Sequence, residues 1–103
     1  ELEVKSQDAI VVKNRYSAFI QGSSNLEQVL RERNIDTIMI AGTATNVCCE
    51  STARDGMMLN FHCVMLADAN AAADDATQSA SLANCLLFFG DVMNVSEMTQ
   101  RLR

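Results

Sequence analysis

Thr37-Ile38-Met39-Ile40-Ala41-Gly42-Thr43-Ala44-Thr45-Asn46-Val47-Cys48 joins an apolar run to a string of small, turn-forming residues and then to the start of a helical pattern. A buried strand that passes through a short turn into a helix is the unit from which parallel α/β sheets are built. Cys48 closes the stretch where the free N–H groups of that helix gather, and a thiol there is biased towards thiolate, the form that attacks carbon. A cysteine in such a place also serves as a small core residue, so the stretch alone leaves both readings open.

Working outward, Asp8-Ala9-Ile10-Val11-Val12-Lys13 reads as a strand buried on both faces, leading into the turn-like Asn14-Arg15-Tyr16-Ser17. Ser24-Asn25-Leu26-Glu27 fits a capping box, Leu26, Val29 and Leu30 form an apolar stripe, and Asn34 suits a left-handed stop. These signals predict a helix over 25–33 and a strand over 36–41. A second helix is predicted from Val47 to Leu59 and a strand over Cys63–Ala67. Then come an Ala-rich helix capped by Asp74 or Asp75 and reaching Phe89, a short strand over 92–95, and a terminal helix capped by Ser96. The alternation predicts an α/β fold, three-layer α/β/α around a mostly parallel sheet. No proline, repeat or linker divides the chain.

With 103 residues the chain has room for one unit with a modest core and none for a second domain. The composition is 49% apolar with mean hydropathy near zero and no apolar run of membrane-spanning length. A net charge of −5, with no basic block, is a poor match to nucleic acid or an anionic membrane surface, so neither is an expected partner. Cys48, Cys49, Cys63 and Cys85 lack the paired spacing of a zinc site and the density of a disulfide scaffold. The expectations are therefore a reducing, cytoplasmic setting, with no secretory leader read at the start, and no cofactor.

Helix geometry separates the adjacent cysteines. Cys49, Ala53, Gly56 and Met57 share one small or apolar stripe that suits packing on a sheet. Cys48 is turned about 100° from it, towards the loop cleft beyond the strand ends where open α/β sheets place ligands. Lys13 ends its strand, and parallel strands at 8–13 and 37–41 would bring it to the rim that holds Cys48. There it could lower the thiol pKa and meet developing negative charge, or it could be an ordinary solvent-facing lysine. His62, the only histidine, begins its strand and belongs at the opposite rim, about 15–20 Å away at 3.3 Å per residue. Asp68 ends that strand on the right edge but fits turn chemistry, while Asp36 and Asp55 are poorly placed as bases. A proton acceptor is missing from the set.

Lys13-Asn14-Arg15-Tyr16-Ser17-Ala18-Phe19, Ala41-Gly42-Thr43-Ala44-Thr45-Asn46-Val47-Cys48, Glu50-Ser51-Thr52-Ala53-Arg54-Asp55 and Asp68-Ala69 resemble the isochorismatase-like cysteine hydrolases in order and spacing. The resemblance spans about nine tenths of the chain and is greatest to ureidoacrylate and N-carbamoyl amide hydrolases. It implies an Asp–Lys–Cys triad with Cys48 as nucleophile and Lys13 assisting charge and proton movement. It also implies a non-proline cis peptide at Thr43–Ala44 and an oxyanion hole made by the backbone N–H groups of Ala44 and Cys48. The family's aspartate lies on a first strand with no equivalent here, since members are about twice this length. Residues 1–103 thus correspond to the later portion of a single domain, and where members hold a metal its ligands also fall outside them.

The resemblance further implies a homo-oligomer. Gly56 stands where such proteins commonly have alanine, a difference expected to weaken the helix by about 1 kcal/mol. The resulting expectation is a cysteine-dependent amidohydrolase that cleaves a C–N bond of a small amide or ureido compound through a thioester. Residues 1–103 alone are expected to be inactive. Vinyl-ether hydrolysis of the isochorismatase type, or a non-catalytic interaction module, are the competing readings.

Overall fold

The computed structural model describes residues 2–103 and contains four α-helices and three strands. They run α1 (Leu26–Glu32), β1 (Thr37–Thr43), a π-helical turn (Thr45–Cys49), α2 (Glu50–Met58), β2 (His62–Ala71), α3 (Asp75–Phe88), β3 (Asp91–Met93) and α4 (Val95–Arg101). The sheet has the order β1-β2-β3 and is parallel throughout. The architecture is thus the α/β type that the alternation predicts.

One face of the sheet is filled. Ile40 of β1 and Cys63 and Met65 of β2 meet Cys49, Ala53 and Cys85 from the helical side. Phe19 joins this core from the loop before α1 and stacks on Phe61 with ring centroids 5.2 Å apart. On the other face Val64 is buried, yet its register partner Met39 is 46% exposed, so cover there is partial.

Three sequence expectations are corrected. Asp8–Lys13 forms no strand, although its composition suits one: Ile10 and Val12 stand exposed and no ladder partner lies beside them. A strand needs a neighbour as well as a β-branched run, and β1 pairs on one edge only, with β2. The cap position of α1 falls on Asn25, which makes no side-chain bond; from one residue earlier the Ser24 hydroxyl accepts from Leu26 N–H at 3.1 Å rather than from Glu27, while donating to the Ala18 carbonyl at 2.8 Å. At α4 the cap is Asn94 rather than Ser96, with a reciprocal box to Glu97, and β3 correspondingly stops at Met93. Elsewhere Asn34 does take a left-handed conformation (φ 56°) after α1, and Asp74 caps α3 by accepting from Thr77 N–H.

β2 runs beyond the expected end at Ala67 because of a bulge. Ile40 pairs with Met65, but Gly42 pairs with Asn70, so β2 spends extra residues there. Such a bulge strands carbonyls, and the Asn70 amide answers two of them, donating to Ile40 O at 2.8 Å and Leu66 O at 2.7 Å. Gly42, facing the bulge, has φ +141°, a backbone state that a side chain would strain.

Gly56 is more than a weak point in α2. A Cβ placed on it would lie 2.9 Å from Cys63 Sγ and 3.0 Å from the Phe19 ring, so its absence lets α2 settle onto β2. Gly56→Ala gains about 1 kcal/mol of helix propensity but meets an overpacking cost of about 1–3 kcal/mol. The expected outcome in urea denaturation is a lower midpoint for Gly56→Ala, recovered when Cys63→Ala makes room for the methyl group. A more stable single variant would contradict the close packing of α2 on β2.

Candidate active site

Cys48 lies in the turn that leaves the carboxyl end of β1. The Thr43–Ala44 peptide that opens this turn is cis. Ala44 O then accepts from Val47 N–H at 3.1 Å and from Cys49 N–H at 3.3 Å, and the second bond closes a loop one residue wider than an α-helical one. The predicted helix from Val47 is therefore a π turn through Cys49 followed by α2 proper.

The helical phase still separates the cysteines. Both border an open cleft of about 400 Å³, but Cys49 is 5% exposed and packs in the core, while Cys48 is half-buried. Lys13, Gly42, Thr43 and Thr52 line the same cleft, with Leu26 and Leu30 on its apolar side. Lys13 is thus brought to the cleft of Cys48 without a strand to carry it. The loop is tied down instead by Ala18 N–H donating to Thr52 Oγ1 and by Phe19 in the core. The Lys13 ammonium donates to the carbonyls of Arg15 at 2.8 Å and Tyr16 at 3.2 Å, which uses two of its three donors.

Burial raises the thiols of Cys49, Cys63 and Cys85. It pushes Cys63 and Cys85 each up to about 11. At Cys49 it is helped by the nearby Cys48 and opposed by the positive charge of Lys13. His62 is exposed at the first residue of β2 and belongs to a separate pocket with Phe88 and Asp91, at the far end of the sheet. Asp68 accepts from Val95 N–H at 2.8 Å and so steadies the start of α4. Among the described residues no carboxylate lines the cleft, and no three His, Cys, Asp or Glu side chains converge as a metal site.

Behind the turn lies a polar cluster that the sequence reading passed over. Thr45 is fully buried, and its hydroxyl donates to Gln78 Oε1 at 2.5 Å. Gln78 Nε2 donates to the carbonyls of Ala67 and Asn70, both at 3.2 Å. One turn further along α3, Ser81 donates to Glu50 at 2.5 Å, with the Thr45 carbonyl 3.4 Å from the same hydroxyl. Glu50 also receives Arg54 Nε and Nη2 at 2.9 and 2.8 Å, and the Arg54 guanidinium sits 4.3 Å over the Phe89 ring. The available signal was the spacing of Gln78, Ser81 and Cys85 at i, i+3 and i+7, which puts two polar side chains on the stripe of α3 that faces the core.

Comparison with known proteins gives this geometry a family. The isochorismatase domain profile matches residues 1–97. A ureidoacrylate amidohydrolase from Pseudomonas savastanoi pv. phaseolicola is 44% identical over 98 residues, covering 94% of this chain and 39% of its own. A cysteine hydrolase structure from Pseudomonas syringae pv. phaseolicola superposes with TM-score 0.91 at 40% identity, over 97% of this chain and 51% of that one. A nicotinamidase/pyrazinamidase from Bacillus subtilis superposes with TM-score 0.74 at 31% identity, over 80% of this chain and 44% of that one. The chain spans about two fifths of the length of the curated relative and about half that of the cysteine hydrolase. On the profile match and these superpositions, the chain belongs to the isochorismatase family.

Proposed function

We propose that residues 1–103 are the later portion of a cysteine hydrolase that cleaves the C–N bond of a small amide or ureido compound. The observation that carries this reading is that the half-buried Cys48 and Lys13 both line one cleft at the carboxyl end of β1. The names of the relatives, an amidohydrolase and a nicotinamidase among them, support an amide as the substrate class.

In this mechanism Cys48 Sγ attacks the carbonyl carbon, and the oxygen's charge is met by the backbone N–H groups of Ala44 and Cys48 and by the field of Lys13. The tetrahedral species collapses by breaking the C–N bond; the amine takes a proton and leaves, and the acyl group remains as a thioester on Cys48. Water then attacks the thioester, giving the acid and restoring the thiol. A general base must take the thiol proton and later the water proton. The cleft offers no carboxylate among the described residues, and the open edge of β1 is where a further strand bearing an aspartate would dock. On this reading the strand and its aspartate come from outside residues 1–103.

The test compares the complete protein with residues 1–103 alone on ureido acids, small carboxamides and a vinyl ether. Turnover of an amide or ureido compound by the complete protein only is the expected result, with a thioester adduct at Cys48 in the intact mass after rapid quenching. Efficient turnover by residues 1–103 would refute the need for a base from elsewhere. No amide turnover by the complete protein would refute the hydrolase reading, in favour of vinyl-ether chemistry or of an interaction module according to the remaining arms.

A further inference from the structure

We propose that Gln78 is a positioning residue that fixes the Cys48 turn through its bond to Thr45. The inference rests on the reading of Cys48 as nucleophile.

All three bonding atoms of the Gln78 amide are committed. Oε1 accepts from the buried Thr45 hydroxyl, and the two Nε2 hydrogens go to the carbonyls of Ala67 and Asn70. Exchanging the amide ends would set an oxygen against two carbonyl oxygens, so the orientation is fixed by its surroundings. One side chain of α3 therefore joins the carboxyl end of β2 to the first residue of the π turn. The anchor at the β2 end is itself tied to β1, because Asn70 also donates to Ile40 O across the bulge. Thr45 precedes Cys48 by three residues, and Ala44, whose carbonyl closes the turn, precedes Thr45 by one. A shift of Thr45 is thus a shift of the thiol and of the N–H groups around it.

The physical alternative is that Gln78 merely fills space. Its cost structure argues otherwise. An apolar side chain of the same length would leave the Thr45 hydroxyl and two carbonyls in need of partners, and the turn would have to move to find them. A displacement of about 1 Å at a reacting group can cost about 10²-fold in rate, so a small movement is enough to be seen. Binding of the substrate's remote parts, made mostly against the cleft walls, should change little.

The experiment uses the complete protein with Gln78→Met, Thr45→Val, Thr45→Ser and the Gln78→Met/Thr45→Val pair. It reads kcat and KM on the best amide substrate and, separately, the rate of Cys48 alkylation by limiting iodoacetamide, mapped by mass. Gln78→Met and Thr45→Val should each lower kcat about 10-fold or more with KM within about twofold, and slow Cys48 alkylation about threefold or more. The pair should be no worse than the poorer single variant, since both remove the Thr45–Gln78 bond, and Thr45→Ser, which keeps the hydroxyl, should recover both readouts. Unchanged alkylation and kcat in Thr45→Val, or losses that multiply in the pair, would overturn the proposal. If Gln78→Met does not fold, Thr45→Val removes the same bond with almost no change of shape and decides alone. If the complete protein turns over no amide, the hydrolase reading fails, while the alkylation rates still decide whether Gln78 positions Cys48.

Discussion

Cys48→Ala in the complete protein should lower kcat/KM for the amide substrate by about 10³-fold or more and leave the melting temperature close to that of the unchanged protein. The size follows from the role: without the sulfur no thioester forms, and what remains is whatever the cleft achieves by binding and polarising the carbonyl for water. The small effect on stability follows from position. Cys48 is half-buried on a cleft wall, whereas Cys49 beside it is packed in the core. Cys49→Ala should reverse the pattern, costing stability through a small cavity while retaining most of the activity. Limiting iodoacetamide gives an independent check, because burial keeps Cys63 and Cys85 protonated up to about 11 and also raises Cys49. Alkylation should fall first on Cys48, and activity should fall with it. Modification of Cys49 or Cys63 ahead of Cys48, or an active Cys48→Ala variant, would remove Cys48 from the mechanism.

The parts of this fold that were legible in the sequence are those set by local periodicity. The apolar runs at 37–41 and 63–67 became β1 and the start of β2, and the Ala-rich segment after Asp74 became α3. Of the predicted stripe, Cys49, Ala53 and Gly56 are buried and Met57 half-buried, for the reason the pattern gave, namely that helix residues three or four apart share a face. What failed needed a neighbour to decide it. Residues 8–13 have strand composition, yet a strand is a pairing, and Ile10 and Val12 find no partner among the described residues.

The same holds nearer the cleft. A sequence shows that a helix starts near Val47, but the first turn is widened to a π turn where Thr45 is pinned from α3, and that contact spans 33 residues of chain. The length of β2 depends on Asn70 reaching back to Ile40 and Leu66. Ser24 and Ser96 carry good cap chemistry; the first does accept from a helical N–H, that of Leu26, with its own proton fixed by the distant Ala18 carbonyl, and the second is displaced by Asn94, whose box with Glu97 satisfies two N–H groups at once. Cys48 and Lys13 share a cleft despite the missing strand, because the loop carrying Lys13 is fastened to α2 and the core further along, at Ala18 and Phe19.

Lys13→Met should lower kcat/KM in the complete protein by about 10²-fold or more, with a far smaller effect on folding. Methionine keeps the length and flexibility of the side chain and removes only the charge and its donors. The ammonium makes two bonds, both to carbonyls of the exposed loop that follows it, so their loss should cost little beyond a loosening of that loop. Its charge already acts on Cys49, opposing the rise that burial imposes on that thiol. In the transition state the same field would act on the oxygen and the departing thiol proton, where charge is developing in a site partly shielded from water. Lys13→Arg separates the two contributions, retaining charge while replacing a compact ammonium with a planar fork of different reach. It should recover part of the rate if field dominates and almost none if a proton is passed through the amine, because guanidinium does not release one. Near-normal turnover by Lys13→Met would make Lys13 an ordinary loop lysine and leave Cys48 to be activated by the turn alone.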